Sequence, residues 1–171
     1  MSKKKKDEIV VTFLGGQSEH VTGSSVLISV LNEDGFTRTN ILVDLGLIQG
    51  ENTILDDYKA NKEMLENIPL NSIDYVILTH EHIDHCGNLP ALSKNEKVEI
   101  ITNEKSYKII KHLLQDTVFI HERNVEYLNG KGYRVKHLYR EADFWNIYDK
   151  INIYEENKMH LVEKRIVPPV C

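Results

Sequence analysis

Thr79-His80-Glu81-His82-Ile83-Asp84-His85 stands directly behind the apolar run Ile73-Asp74-Tyr75-Val76-Ile77-Leu78. The apolar run reads as a strand buried on both faces. The stretch after it places His80, His82, Asp84 and His85 within six residues. Neither a helix nor a strand aims four such side chains at one point. A loop does, because each residue there takes its own backbone geometry. One histidine alone is ordinarily a packed or solvent-facing side chain. Four ligand-type residues at this spacing predict a metal site instead. His80 and His82, two apart, point the same way and share one metal, while Asp84 and His85, past the turn, reach a second. Imidazole and carboxylate without thiolate suit zinc, with manganese or iron as alternatives. Two such metals, roughly 3.5–4 Å apart, clamp both oxygens of a displacement. Cys86 follows at once, and its side chain is expected to turn into the core as a small hydrophobe.

Working outward, Ile9 to Leu14 is β-branched and aromatic and predicts a strand that Gly15-Gly16 ends. A polar loop from Gln17 to Gly23 leads to a second strand, Ser25 to Val30. Asn32-Glu33-Asp34-Gly35 is a hairpin-type turn, and Asn40 to Asp44 is the returning strand. Asp56 to Glu66 predicts a helix with Tyr58, Met64 and Leu65 on its apolar face, closed by Pro69. Beyond the histidines, Gly87 to Leu92 is a short helix or turn containing Pro90, and Val98 to Thr102 is a strand. Thr102-Asn103-Glu104 caps a helix through Gln115, and a separate helix is expected from Thr117 to Leu128. A short helix near Arg140-Glu141 and strands at Lys150 to Tyr154 and His160 to Val162 complete the pattern. Strands first, then strand–helix alternation, predict an α/β (α+β) protein with a mixed sheet and helices on its faces. The histidine cluster then lies past a strand's carboxyl end, where loops of such sheets collect ligands.

Composition sets bounds on function. At 171 residues the chain is one domain or part of one, long enough to bury a core without staples. Lys plus Arg number 21 and Asp plus Glu 26, a net charge of −5 that does not advertise a nucleic-acid binder. A metal site nonetheless neutralises phosphate locally. The two cysteines, Cys86 and Cys171, are no disulfide framework, so a reducing, cytoplasmic setting is the simple expectation. No stretch approaches transmembrane length and no membrane partner is expected. Residues 1–8 carry the basic run Lys3 to Lys6, which reads as a solvated, mobile terminus. The sharper alternative is an arm on nucleic-acid phosphates.

The metal motif resembles that of the metallo-β-lactamase superfamily. Val21-Thr22-Gly23-Ser24-Ser25 and Val43-Asp44-Leu45-Gly46-Leu47-Ile48-Gln49-Gly50 resemble the first motifs of its β-CASP branch. So does the run from Asn71 to Pro90, and Leu113-Leu114-Gln115-Asp116-Thr117 resembles that branch's Leu-Leu-x-Asp-Ser helix. The branch contains pre-mRNA 3′-end processing endonucleases and RNase J. The resemblance implies an αββα arrangement, with residues 9–171 as the amino-terminal, incomplete part of the domain. It implies that His80 and His82 bind a first zinc and Asp84 and His85 a second. Asp84 would also orient the attacking water. It places Asp44 close to the metals, holding a ligand histidine or a loop amide, where its plainer role is a turn carboxylate. His20 occupies a loop near the site without being a ligand.

The family's further ligands, a third histidine, a bridging aspartate and a later histidine, have no counterpart here. His112, His121, His137 and His160 lack the expected neighbours and read as surface or helix histidines. The chain is therefore expected to be the front portion of a longer enzyme. Its open sheet face would be covered by the missing C-terminal or β-CASP portion or by self-association. The function expected is zinc-dependent phosphodiester hydrolysis of RNA. One rival is a hydrolase of a small ester, thioester or lactone. The other is a non-catalytic binding or assembly module.

Overall fold

The computed structural model describes residues 8–16 and 21–155. Six strands form one sheet in sequential order: β1 (Glu8–Gly15), β2 (Ser25–Leu31), β3 (Thr37–Val43), β4 (Tyr75–Ile77), β5 (Glu99–Thr102) and β6 (Ile151–Ile153). The first three are antiparallel, with the Asn32–Gly35 turn joining β2 to β3, and β3 to β6 run parallel. Four helices accompany them: α1 (Ile54–Asn67), α2 (Ile83–Cys86), α3 (Glu104–Gly130) and α4 (Glu141–Tyr148). This is the mixed α/β architecture that the strand–helix alternation predicts. The basic run Lys3 to Lys6, His20, the strand expected at His160 to Val162, and Cys171 lie outside the described residues. No helix among the described residues is long and apolar enough to cross a membrane.

Parallel neighbours in sequential order need crossovers, and right-handed crossovers put every connecting helix on the same face. That face carries the core. Leu27, Leu42, Val76, Ile100 and Ile151 stand opposite one another in register across β2 to β6, and all are buried. Met64 and Leu65 of α1, Ile110, Leu114 and Val118 of α3, and Phe144 and Ile147 of α4 pack in the same cluster. On the other face, Phe13, Val26, Val43, Ile77 and Ile101 form a parallel row. Phe13 is 61% exposed and Ile77 41%. The expectation that the Ile73 to Leu78 run is buried on both faces therefore fails at Ile77. The helices cover one side, and no described element covers the other.

Helix boundaries follow local chemistry. Thr53 caps α1 by accepting the amide of Asp56, and Asp56 and Asp57 place negative charge at its positive end. Asn103 caps α3 by accepting the amides of Lys105 and Ser106. The two helices expected on either side of Asp116 are one helix of 27 residues. Nothing at Asp116-Thr117 breaks it, because Thr117 Oγ1 donates to the Leu113 carbonyl at 2.8 Å and so is satisfied within the helix.

A candidate metal centre behind strand β4

The centre is built on Asp44, the residue that ends β3. Its φ is +60°, in the left-handed region that an aspartate tolerates better than most side chains, and it is 2% exposed. Its carboxylate faces the start of the histidine loop. Oδ1 accepts the Thr79 amide at 2.8 Å, and Oδ2 accepts the Thr79 hydroxyl at 2.7 Å. Oδ2 also lies 2.8 Å from Nδ1 of His85. A carboxylate offers only acceptors, so Nδ1 of His85 carries a proton, and in the neutral ring the lone pair falls on Nε2. The same logic passes through Thr79. Its single hydroxyl proton is directed at Asp44, so its oxygen accepts from Nδ1 of His80, 3.0 Å away. His80 then also presents a free Nε2.

The loop is held from several sides. Ser24 donates its amide to the Asp84 carbonyl at 2.8 Å, Leu45 to the His85 carbonyl at 2.9 Å and Leu47 to the Ile83 carbonyl at 2.9 Å. Gly46 lies against Asp84 so closely that a Cβ there would collide with the Asp84 carbonyl oxygen. Behind this, Asn61 of α1 accepts the Ile48 amide at 2.9 Å and donates to the Ile48 carbonyl. Asn88 donates to both Asn61 Oδ1, at 2.7 Å, and the Gly46 carbonyl, at 2.8 Å. This buried amide pair ties the Leu45 to Gln49 turn to α1. From the other side, Ser106 of α3 donates to the Glu81 carboxylate at 2.7 Å, which holds that acid below its ordinary value. Cys86 is buried, with Sγ 3.1 Å from the Glu81 carbonyl, and burial pushes its thiol up to about 12. It is an inert core thiol.

The ligand-type side chains are gathered at the mouth of this scaffold. His80, Asp84 and His85 are half-buried and His82 is exposed. The His80 ring lies 4.0 Å from that of His85 and 4.6 Å from that of His82, centroid to centroid. Asp84 Oδ2 is 3.7 Å from His85 Nε2. Among the described residues, however, no three His, Cys, Asp or Glu side chains are arranged as a set that holds a metal ion. The imidazole and carboxylate donor types suit a zinc-class cation, while the rings lie against one another. The chain thus offers a partial ligand set.

The other described histidines lie elsewhere. His112 is exposed on α3. His121 is a helix histidine of α3, turned inward. Its Nε2 accepts the Leu138 amide at 3.0 Å, its ring lies 4.6 Å from Tyr139, and burial lowers it to about 4. It is a neutral, structural imidazole. His137 packs edge-on against it at 6.1 Å. Asn61, Asn88 and Ser106 are supports that sequence reading missed. Each acts on a segment at least 13 residues away in the chain, so no local pattern signals it.

Comparison with known proteins follows the same lines. Residues 21–168 match the model of the metallo-beta-lactamase superfamily. A Methanocaldococcus jannaschii protein named probable RNase MJ4 is 32% identical over 114 residues, 66% of this chain and 25% of that protein. Transcription termination factor FttA of Methanosarcina mazei is 40% identical over 90 residues, 52% of this chain and 13% of that one. Cleavage and polyadenylation specificity factor subunit 3-I of Arabidopsis thaliana is 29% identical over 151 residues, 87% of this chain and 19% of that one. The matched region spans a quarter or less of the length of each of these relatives. By its sheet, its histidine loop and these matches, the chain belongs to the metallo-β-lactamase superfamily, with relatives in the β-CASP ribonuclease branch.

Proposed function

We propose that this chain supplies the first ligands of a zinc-dependent phosphodiester hydrolase acting on RNA. His80 and His82 would hold one metal, and Asp84 and His85 a second. The observation that carries the reading is the Asp44 network. One buried carboxylate sets the ring protons of His85 directly and of His80 through Thr79, which leaves Nε2 of each neutral ring to act as a metal ligand. Orientation of ligand imidazoles by a carboxylate raises their basicity and fixes their tautomer. Zinc, when bound, supplies a water acidified toward neutrality and a positive charge for the phosphoryl oxygens. Asp84 would accept a hydrogen bond from that water and aim it at phosphorus. RNA as substrate is supported by relatives named as an RNase and as a cleavage and polyadenylation factor. The remaining ligands would come from outside residues 9–171.

The test is metal content by plasma mass spectrometry, with His82→Ala as control, followed by turnover in the presence of the completing portion. Zinc held by the wild type and lost from the variant, with hydrolysis of RNA, supports the reading. Turnover of lactones or thioesters without RNA would remove it.

A second reading is favoured by the partial ligand set and the open row from Phe13 to Ile101. In it the chain is an assembly module that turns over nothing, its uncovered face docking on a further portion of the protein or on a second copy. Zinc-independent association, with no hydrolysis under any metal, distinguishes it.

A further inference from the structure

We propose that a basic groove at the opposite end of the sheet from the histidine loop binds the phosphate backbone of single-stranded RNA. The choice of RNA as the polyanion rests on the reading above. The groove has a volume of about 850 Å³ and opens between α1 and the segment that follows α3. Its floor is the loop at 68–72, which leads into β4, and residues 91–94, which precede β5. It therefore lies at the amino ends of strands whose carboxyl ends carry the candidate metal centre. From Ser72 to His80 the chain runs eight residues, roughly 25 Å if extended.

Charge singles the groove out. Lys62, Lys94, Lys136 and Arg140 line it, against two carboxylates, Glu66 and Asp143. Glu66 is matched to Lys62, with Nζ and Oε1 2.5 Å apart. Asp143 is taken up by local hydrogen bonds, from Ser93 Oγ to Oδ1 and from the Arg140 amide to Oδ2. Lys94, Lys136 and Arg140 are exposed, and none pairs with a carboxylate among the described residues. With Asp143 still negative, the groove holds four cations against two carboxylates, a net charge of +2 in a chain whose net charge is −5.

Lys136 and Arg140 come from the segment after α3, Lys62 from α1 and Lys94 from the residues before β5, so three parts of the chain contribute cations around a groove much larger than a single small anion. A polymer meets separated cations with one strand and gains from the counterions it releases. Asn71 adds a neutral donor for phosphate oxygens, and Tyr58 stands in the wall as an aromatic surface for a base. A groove rather than a flat patch suits a single strand.

The test uses the full chain and a fluorescein-labelled oligouridylate, followed by anisotropy through a salt series. Replacing Lys94, Lys136 and Arg140 together with Glu is expected to lower affinity at least tenfold. Loss of the three phosphate contacts should flatten the log–log salt slope by about 2. Lys136→Gln alone gives a smaller loss in the same direction and guards against misfolding of the triple variant. Lys131→Gln, an exposed cation outside the groove, is expected to bind the oligomer as the wild type does. Unchanged affinity and slope in the variants, or no binding by the wild type, would overturn the groove. Polyglutamate displacing the oligomer at equal charge would overturn its assignment to RNA. Binding through the groove with no hydrolysis by the completed enzyme would sink the hydrolase and leave the groove standing. RNA cleavage unaffected by the triple variant would do the reverse.

Discussion

Asp44 and His85 lie 41 residues apart in the chain, yet Oδ2 of the first stands 2.8 Å from Nδ1 of the second. The same oxygen receives the Thr79 hydroxyl, so one atom governs two imidazoles of the loop. Asp44→Asn retains the shape and a residue type that accepts the left-handed backbone, but it replaces an ionised acceptor with an amide. Zinc affinity is expected to fall about 10–100-fold with the fold intact. Competition against a chromophoric chelator, with circular dichroism as the fold control, measures it. Equal affinity in the variant would show that His85 needs no such partner.

Gly46 is where the turn after β3 meets the histidine loop. Gly46→Ala forces backbone against backbone at Asp84, with no flexible side-chain tip to give way. A loss of about 1–3 kcal/mol is expected, read as a lower urea midpoint with unchanged slope. Zinc binding should weaken with it, because the atom that must move belongs to Asp84.

Asn61 and Asn88 form the buried amide pair behind that turn. Asn61→Leu keeps the volume but strips the partners from both polar groups of Ile48 and from Asn88. Each buried group left without a partner costs about 1–3 kcal/mol, so this substitution should be more destabilising than Gly46→Ala. Chemical denaturation of the two variants side by side decides the order.

His121 makes stability depend on pH. Its folded value is depressed to about 4, so between that value and the ordinary 6.5 the unfolded chain binds the proton and the folded chain does not. Stability is therefore lost as pH falls through this window and levels off below it. The change attributable to this one ring is about 3 kcal/mol. Urea titrations at pH 7 and pH 4.5, compared with His121→Gln, isolate it. If wild type and variant lose stability in parallel, the ring is not the source.

Much of this architecture is legible in the sequence because it is written locally. β-Branched and aromatic runs and the Asn32–Gly35 turn mark β1 to β3, Asn103 announces α3, and the Ile73 to Leu78 run leads straight to the histidines. Two readings failed for physical reasons. Ile77 is exposed because all the helices gather on one side of the sheet, a property of connection handedness rather than of any strand. Asp116-Thr117 looked like a boundary, but a threonine that bonds back to its own helix does not end one. Within the site, the histidines are adjacent in sequence and so visible. Asn61, Asn88 and Ser106 are ordinary polar residues on helices or turns until the fold brings them to their partners.

Helix α3 has tethers at three points along one unbroken rod. Ser106 holds Glu81 near its start, His121 holds Leu138 at its middle, and Asn129 holds Val135 near its end. Adding or removing one residue between two of these points turns everything beyond by about 100° and shifts it by about 1.5 Å. No surface loop interrupts the rod to absorb such a change. Of all the segments behind the histidine loop, this one tolerates substitution on its outer side but not a change of length, and its residue count is as much a part of the design as its residues.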